Sequence, residues 1–289
     1  MDITIRDDFD LTKIAESGQC FRWRQMPDGV YRVIHGDRCL YIRRTGEARY
    51  LLDCDEAAFE AVWRDYFDLG EDYRAIRSRI DPAGDPFLFG ASEQEKGIRI
   101  LRQSPWEALV SFIISQNRNI PAICASIERL CALAGERHTD SRGGAFFAFP
   151  SPEALAALTE EELKACRMGY RCKYVHAAAE AVRSGQVDLQ ALAEEDCGDA
   201  VRALTAMYGV GVKVASCAAL FGLHHLDAFP VDVWIRRVLE REYPNGYPRE
   251  RYSPYNGVFQ QYMFAYYRNG GKTRGKAEPA DDAGMQSTP

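Results

Sequence analysis

The feature that most constrains this chain is a change of hydrophobic period near Asp53. From Gly18 to about Asp53, short segments rich in β-branched and aromatic residues, CFRWRQ, VYRVIH, RCLYIRR and ARYLL, are separated by the turn signals MPDG, GD and TGE. The pattern predicts an antiparallel meander. Phe21 and Trp23 alternate with Arg22 and Arg24, which predicts one buried face and one solvated face. After Asp53 the period turns helical and stays so to about Asn269. In SPWE, Ser104 stands as an N-cap, Pro105 at the first helical position and Glu107 three residues after the cap. Ser151 and Pro152 open SPEALAAL in the same way, and TEEE at Thr159 to Glu162 supplies another capping box. EALVSFIIS is too apolar for a surface helix and is expected to run through a core. The fold class is therefore α+β, an N-terminal sheet followed by helices.

Length and composition bound the rest. A chain of 289 residues can bury a large core as one large domain or two smaller ones. Apolar residues at 46% and charged residues at 27% are ordinary for a globular protein. The final stretch GGKTRGKAEPADDAGMQSTP, residues 270–289, has little to bury and is expected to be disordered. No apolar run approaches the ~20 residues that cross a bilayer, and MDITIRDDFD has no export pattern, so the expected location is cytoplasmic, away from membranes. Nine scattered cysteines without CxxC spacing signal neither a disulfide framework nor a zinc site. Cys166, Cys172 and Cys197 are read as buried free thiols. A net charge of −6 argues against coating nucleic acid by bulk electrostatics, so any nucleic-acid site must be local.

One charge stands out. Between Arg202 and Asp227 the only charged side chain, with histidine neutral, is Lys213, in YGVGVKVASCAALFG. DAVRALTAMY before it and VKVASCAALFG after it have helical spacing, so the stretch reads as helix, glycine hairpin, helix. Gly209 and Gly211 allow positive φ and close backbone approach, which would let hairpin amides face a phosphate, although a plain tight turn needs the same glycines. Lys213 falls in the first helical turn, where the dipole disfavours a cation by roughly 0.3–1 kcal/mol. A solvated lysine is the ordinary reading. Val212, Val214 and Ala215 instead suggest a mostly buried helix, and desolvation in that setting favours a neutral, nucleophilic amine. Cys217 lies at i+4 from Lys213 and can line the same pocket. Asp232, in PVDVW, is suited to a helix cap. The helix 212–222 would span ~16 Å and residues 223–229 can stretch to ~24 Å, so the chain can bring that carboxylate back beside the amine.

These residues carry a resemblance. SGQCFRWR, RILRQSPWEALVSFIISQNRNI, MGYRCKYV, GVGVKVASC, PVDVW and GVFQQYMFAYY, in that order, resemble the 8-oxoguanine DNA glycosylases with lyase activity of the helix-hairpin-helix superfamily. The resemblance implies a β-domain over residues 1 to about 80 and a two-lobed helical glycosylase region over 81–269. It implies duplex DNA containing 8-oxoguanine as partner, a monomer, and no cofactor or metal. By the same resemblance Lys213 is the nucleophile at C1′ and Asp232 the stabiliser of the cationic sugar. Cys217 and Phe264 sandwich the extruded base, Gln260 bonds its Watson–Crick edge beside Pro230, and the Gly18 carbonyl reads the oxidised ring. Asn117 fills the gap left by the base, and Tyr170 and Arg171 are the wedge and the reader of the orphaned partner.

Three positions depart from the family. Ala122 stands where eukaryotic members have an arginine that contacts the opposite cytosine. Trp234 replaces a histidine associated with a phosphate contact. Arg118 replaces the middle asparagine of a triple. Two other readings stay open: a glycosylase of the same superfamily for another damaged base, and a non-catalytic DNA-binding module. The lysine argues against a purely monofunctional enzyme. The absence of a cysteine quartet after Asp232 argues against the iron–sulfur branch.

Overall fold

The computed structural model describes residues 1–270. The expected disordered tail lies, beyond Gly270, outside the described residues. Five strands, β1 (Asp2–Thr4), β2 (Trp23–Gln25), β3 (Val30–His35), β4 (Arg38–Gly46) and β5 (Arg49–Leu52), form an antiparallel sheet in the order β1-β5-β4-β3-β2. The four expected strands are there. β1 is an addition, too short in sequence to show a period, and it closes the sheet on β5 through Ile3 opposite Tyr50.

Register explains the buried face. Val33 lies opposite Leu40, Tyr31 opposite Ile42, and Ile42 opposite Leu52, and all five are buried. They pack on Phe59, Trp63, Tyr66 and Phe67, just after the sheet.

Arg22 corrects the expected alternation. It precedes β2, is only 5% exposed, and donates to Glu128 Oε1 at 3.0 Å and the Phe147 carbonyl at 2.6 Å. It lies where the sheet meets the helical layer, so its face is covered rather than solvated. Glu107 is buried at the same joint. Desolvation pushes its carboxyl up to about 7 against the opposing pull of Arg22. Ser104 does cap the helix Pro105–Ser115, accepting from the Glu107 amide at 3.4 Å, while the Glu107 side chain is turned into the interior.

Helices make up most of the rest. Pro105–Ser115 is buried along its length, as its composition predicts, and packs on Val212–Phe221. Ser151 caps Pro152–Ala156, and the Thr159 capping box is complete. The helical stretch is interrupted once, by a hairpin of β6 (Arg137–Thr139) and β7 (Ala145–Phe147). Its turn is organised by Asp140, which accepts from the Arg142 and Gly144 amides and from Arg32 and Tyr41 of the sheet. That anchoring is tertiary, which is why the helical reading of the sequence ran through it.

Candidate active site

The hairpin forms between Cys197–Thr205 and Val212–Phe221. Gly209 has φ +80°, and a Cβ there would lie 2.2 Å from Cγ of Tyr174, so the backbone lies flat on that ring. Only glycine fits both conditions. Gln116 Nε2 donates to the Gly209 carbonyl at 3.1 Å. Gly211 differs from expectation. Its φ is −85°, which any residue adopts, and the space a Cβ would enter is empty to 4 Å. Val212 also differs, being 65% exposed beside the hairpin, while Val214 and Ala215 are buried as expected.

Lys213 is half-buried, with its Nζ 5.3 Å from the centre of the Phe112 ring. Cys217 follows one turn later and is buried. Burial pushes its thiol up; Lys213, by charge and by hydrogen bond, pulls it down, and the charge of Asp232 pushes it up again. Both partners therefore act on one sulfur. The Asp232 side chain also accepts from the Ile235 amide at 2.9 Å, capping Val233–Glu242. The cap and the pocket roles are compatible, because a carboxylate has acceptor sites beyond the one the cap uses.

The last helix, Asn256–Arg268, supplies the opposite side. Gln260 is buried and its amide is held at both ends: Nε2 donates to the carbonyl of buried Pro230 at 2.9 Å, and Oε1 accepts from Gln261 at 2.9 Å. Phe264, one turn on, is half-buried next to Gly18. Gly18 has φ +77°, and a Cβ there would lie 3.4 Å from Phe264 Cε1. The Gly18 turn is set by Gln19, which donates to the Arg99 carbonyl at 2.8 Å and accepts from the Leu101 amide at 2.8 Å.

A second group forms a rim. Exposed Asn117 has φ +50°, with its amide 3.4 Å from the Tyr170 hydroxyl. Arg171 is only 7% exposed; it lies 4.3 Å from the Tyr170 ring centre and donates to the carbonyls of Met168, Gln116 and Asn117. Arg118 donates to Ser126 Oγ and the Arg167 carbonyl, both at 3.0 Å. Burial, then the charges of Arg171 and Arg129, pull its guanidinium below the usual arginine range. Trp234 is half-buried with the Arg237 guanidinium 5.2 Å from its ring centre. Sequence reasoning missed Tyr174, whose ring joins the Tyr170 edge to the hairpin. Its signal was an aromatic one turn after Tyr170. It also missed exposed Tyr208, just before the hairpin, whose ring lies 5.1 Å from Tyr174 and 5.7 Å from Lys173 Nζ.

All nine cysteines are free. Cys166 and Cys172 are buried and Cys197 only half so. Among the described residues no group of three or more histidines, cysteines or acids could hold a metal.

A sheet followed by helices around a glycine hairpin, with a lysine and a carboxylate near one cysteine, defines a class. Residues 110–250 match the model of the HhH-GPD superfamily of base excision DNA repair proteins. Residues 2–109 match the N-terminal domain of 8-oxoguanine DNA glycosylase, and the chain belongs to that family. The Saccharomyces cerevisiae N-glycosylase/DNA lyase is 33% identical over 81% of this chain and 68% of its own length. MBOgg1, solved with a low-affinity DNA ligand, is 38% identical with a TM-score of 0.87, over 94% of this chain and 96% of that one. The Clostridium acetobutylicum 8-oxoguanine glycosylase/lyase, solved with duplex DNA containing cytosine opposite 8-oxoG, is 31% identical with a TM-score of 0.85. That match covers 94% of this chain and 99% of the other.

Proposed function

We propose that the protein is a bifunctional base-excision-repair enzyme that removes 8-oxoguanine from duplex DNA and then cleaves the strand as a lyase. The observation that carries this reading is Lys213 in the first turn after the glycine hairpin, its Nζ 5.3 Å from the Phe112 ring centre and one turn before buried Cys217, with the Asp232 carboxylate fixed as the cap of Val233–Glu242 and its charge felt at Cys217. A base inside the duplex leaves C1′ out of reach, so the nucleotide must be flipped at a cost of a few kcal/mol. With the base extruded, the amine of Lys213, having shed its proton, attacks C1′ and the C1′–N9 bond breaks, its electron pair leaving with the base, which takes up a proton. The sugar opens at C1′–O4′ to give an iminium. Loss of a C2′ proton then expels the 3′ phosphate by β-elimination. The carboxylate of Asp232 stabilises the positive charge that develops on the sugar, and its fixed position beside the pocket avoids reorganisation during the step.

Gln260, Cys217 and Phe264 hold the extruded base, and the carbonyl of Gly18 accepts from N7–H of 8-oxoguanine. In guanine N7 is a bare acceptor, so the same carbonyl repels it, a difference of ~2–4 kcal/mol. Asn117 and Tyr170 fill the hole in the stack. Hairpin amides at Gly209 and Gly211 hold the phosphates, which reconciles DNA binding with a net charge of −6. The open space beside Gly211 suits that approach. A β-domain over 1–80, a helical region over 81–269 and a monomeric, cytoplasmic enzyme complete the reading. Among the described residues no helix is long and apolar enough to cross a membrane.

The test is incubation with an 8-oxoguanine duplex under borohydride. A covalent complex is expected, and a failure to trap with intact DNA binding would favour the non-catalytic module. An 8-oxoguanine methylated at N7 is expected to be excised very poorly; normal excision would remove Gly18 from the reading.

A further inference from the structure

Gly18 lies against two side chains of one helix. Phe264 and Arg268 are one turn apart on Asn256–Arg268 and share a face. A Cβ at Gly18 would lie 3.4 Å from Phe264 Cε1 and 3.7 Å from Arg268 Nη1. The Arg268 guanidinium lies 5.3 Å from the centre of the Phe264 ring, and its Nη2 donates to the Glu16 carbonyl, at the end of the helix Leu11–Glu16. An arginine in a last helical turn is explained by the helix dipole alone. The dipole does not explain why this one reaches across to another helix and lies on a ring. Burial pulls the guanidinium below the usual arginine range, with the charges of Glu16 and Glu95 opposing, so the contact is made at a desolvation cost.

The Gly18 turn has two braces. Gln19 ties it to Arg99 and Leu101, and Gln103 Nε2 adds a bond to the Gln19 carbonyl at 2.9 Å. Those bonds fix the turn to the segment 99–103 and not to the helix that carries Gln260 and Phe264. Arg268 supplies that second link.

We propose that Arg268 is a positioning residue that sets base selectivity: by bridging Phe264 and the Glu16 carbonyl, it fixes the gap between the clamping ring and the Gly18 carbonyl that an 8-oxopurine must enter. The inference rests on the function proposed above. A carbonyl hydrogen bond loses strength steeply with distance and angle, so a turn free to drift both binds N7–H less well and repels guanine less. Abasic DNA presents no base to this gap, and its reaction with Lys213 does not depend on the bridge.

The experiment compares the full chain with its Arg268→Met and Arg268→Lys variants. Methionine keeps an unbranched stem on Phe264 and removes the donors; lysine keeps one donor able to reach the carbonyl. Two single-turnover rates are measured at saturating enzyme: excision of 8-oxoguanine, and borohydride trapping on a preformed abasic site. For Arg268→Met, excision is expected to fall about 10- to 100-fold, the size expected of a displaced binding group, with abasic trapping changed less than about threefold. Arg268→Lys should recover most of the excision rate. Excision by Arg268→Met at the wild-type rate would overturn the inference. So would a parallel loss of both reactions with a lowered Tm, which would mark a plain structural contact. A wild-type chain that traps on neither substrate would sink the proposed function instead.

Discussion

The pocket and the rim differ in what their polar groups do before any DNA arrives. In the pocket, Gln260 is locked between Pro230 and Gln261, and Asp232 is held on its own helix end while its charge acts on Cys217. These groups are fixed with functional atoms still available. At the rim, Arg171 and Arg118 already donate to carbonyls and a hydroxyl of the protein. The nitrogens engaged there, Nη1 of Arg118 and both Nη groups of Arg171, would have to leave an internal acceptor to read a base, while Arg171 Nε is buried without a partner. In the proposed reading the contrast teaches that the chemistry is preorganised, while a rim guanidinium nitrogen that is already engaged gains a bond to DNA only by giving up one inside.

The largest effect should come from the centre of the pocket. Lys213→Gln removes the amine while keeping a polar chain of similar length, so borohydride trapping should vanish while binding of lesion DNA stays measurable. Residual trapping would mean that another amine is the nucleophile, and the pocket would lose its claim to be the preorganised region. Next comes Asp232→Asn. Asparagine caps a helix about as well as aspartate, but it carries no charge to face a cationic sugar. Excision should fall by about 10²–10³, the range for losing one preorganised electrostatic group, with Tm nearly unchanged. Equal damage to Tm and rate would reduce Asp232 to a cap.

Much of this contrast was legible beforehand, and unevenly. The pocket could be read because its residues break local rules: a cation at a helix start inside an apolar run, and an acid placed by a short linker to return to it. The strands after Gly18 and the caps at Ser151 and Thr159 were legible because period and capping chemistry are local. What escaped depends on contacts distant in sequence. Arg22 looks like a solvated strand residue until Glu128 and Phe147 close over it. β6 and β7 form because Asp140 is gripped by Arg32 and Tyr41. The brace at Arg171 is of the same kind: nothing in MGYRCKYV says that its guanidinium turns inward to Gln116.

The rim makes the next prediction. With both Nη groups of Arg171 and Nη1 of Arg118 engaged and Ala122 unable to donate, excision opposite cytosine and opposite adenine should differ by less than about fivefold, below the ~1–3 kcal/mol of a good bidentate reader. Arg171→Ala should free the Asn117 turn and slow excision opposite every base alike. Discrimination of several hundredfold, lost in Arg171→Ala, would show instead that Arg171 leaves its carbonyls to read the partner strand, and the contrast between the two regions would fail.

The smallest effect tests whether the rim can be given what it lacks. Ala122 is half-buried in the first turn of Ile120–Ala134, where its amide donates to the Asn119 cap at 3.0 Å. Ala122→Arg would place a free guanidinium there, with no internal carbonyl to give up. An ideal bidentate contact to a base is worth ~1–3 kcal/mol of discrimination. Two costs reduce it here. The helix N-terminus disfavours a cation by roughly 0.3–1 kcal/mol. The neighbourhood is also positive already, as the opposing charges of Arg171 and Arg129 on Arg118 indicate. The remainder is a gain of about threefold to tenfold in the preference for cytosine over adenine, read as the ratio of single-turnover excision rates. A gain that grows several-fold further in an Arg118→Ala background would locate the cost in that crowding. No gain in either background would mean that position 122 does not face the orphaned base, and the rim would have to be redrawn around Arg118.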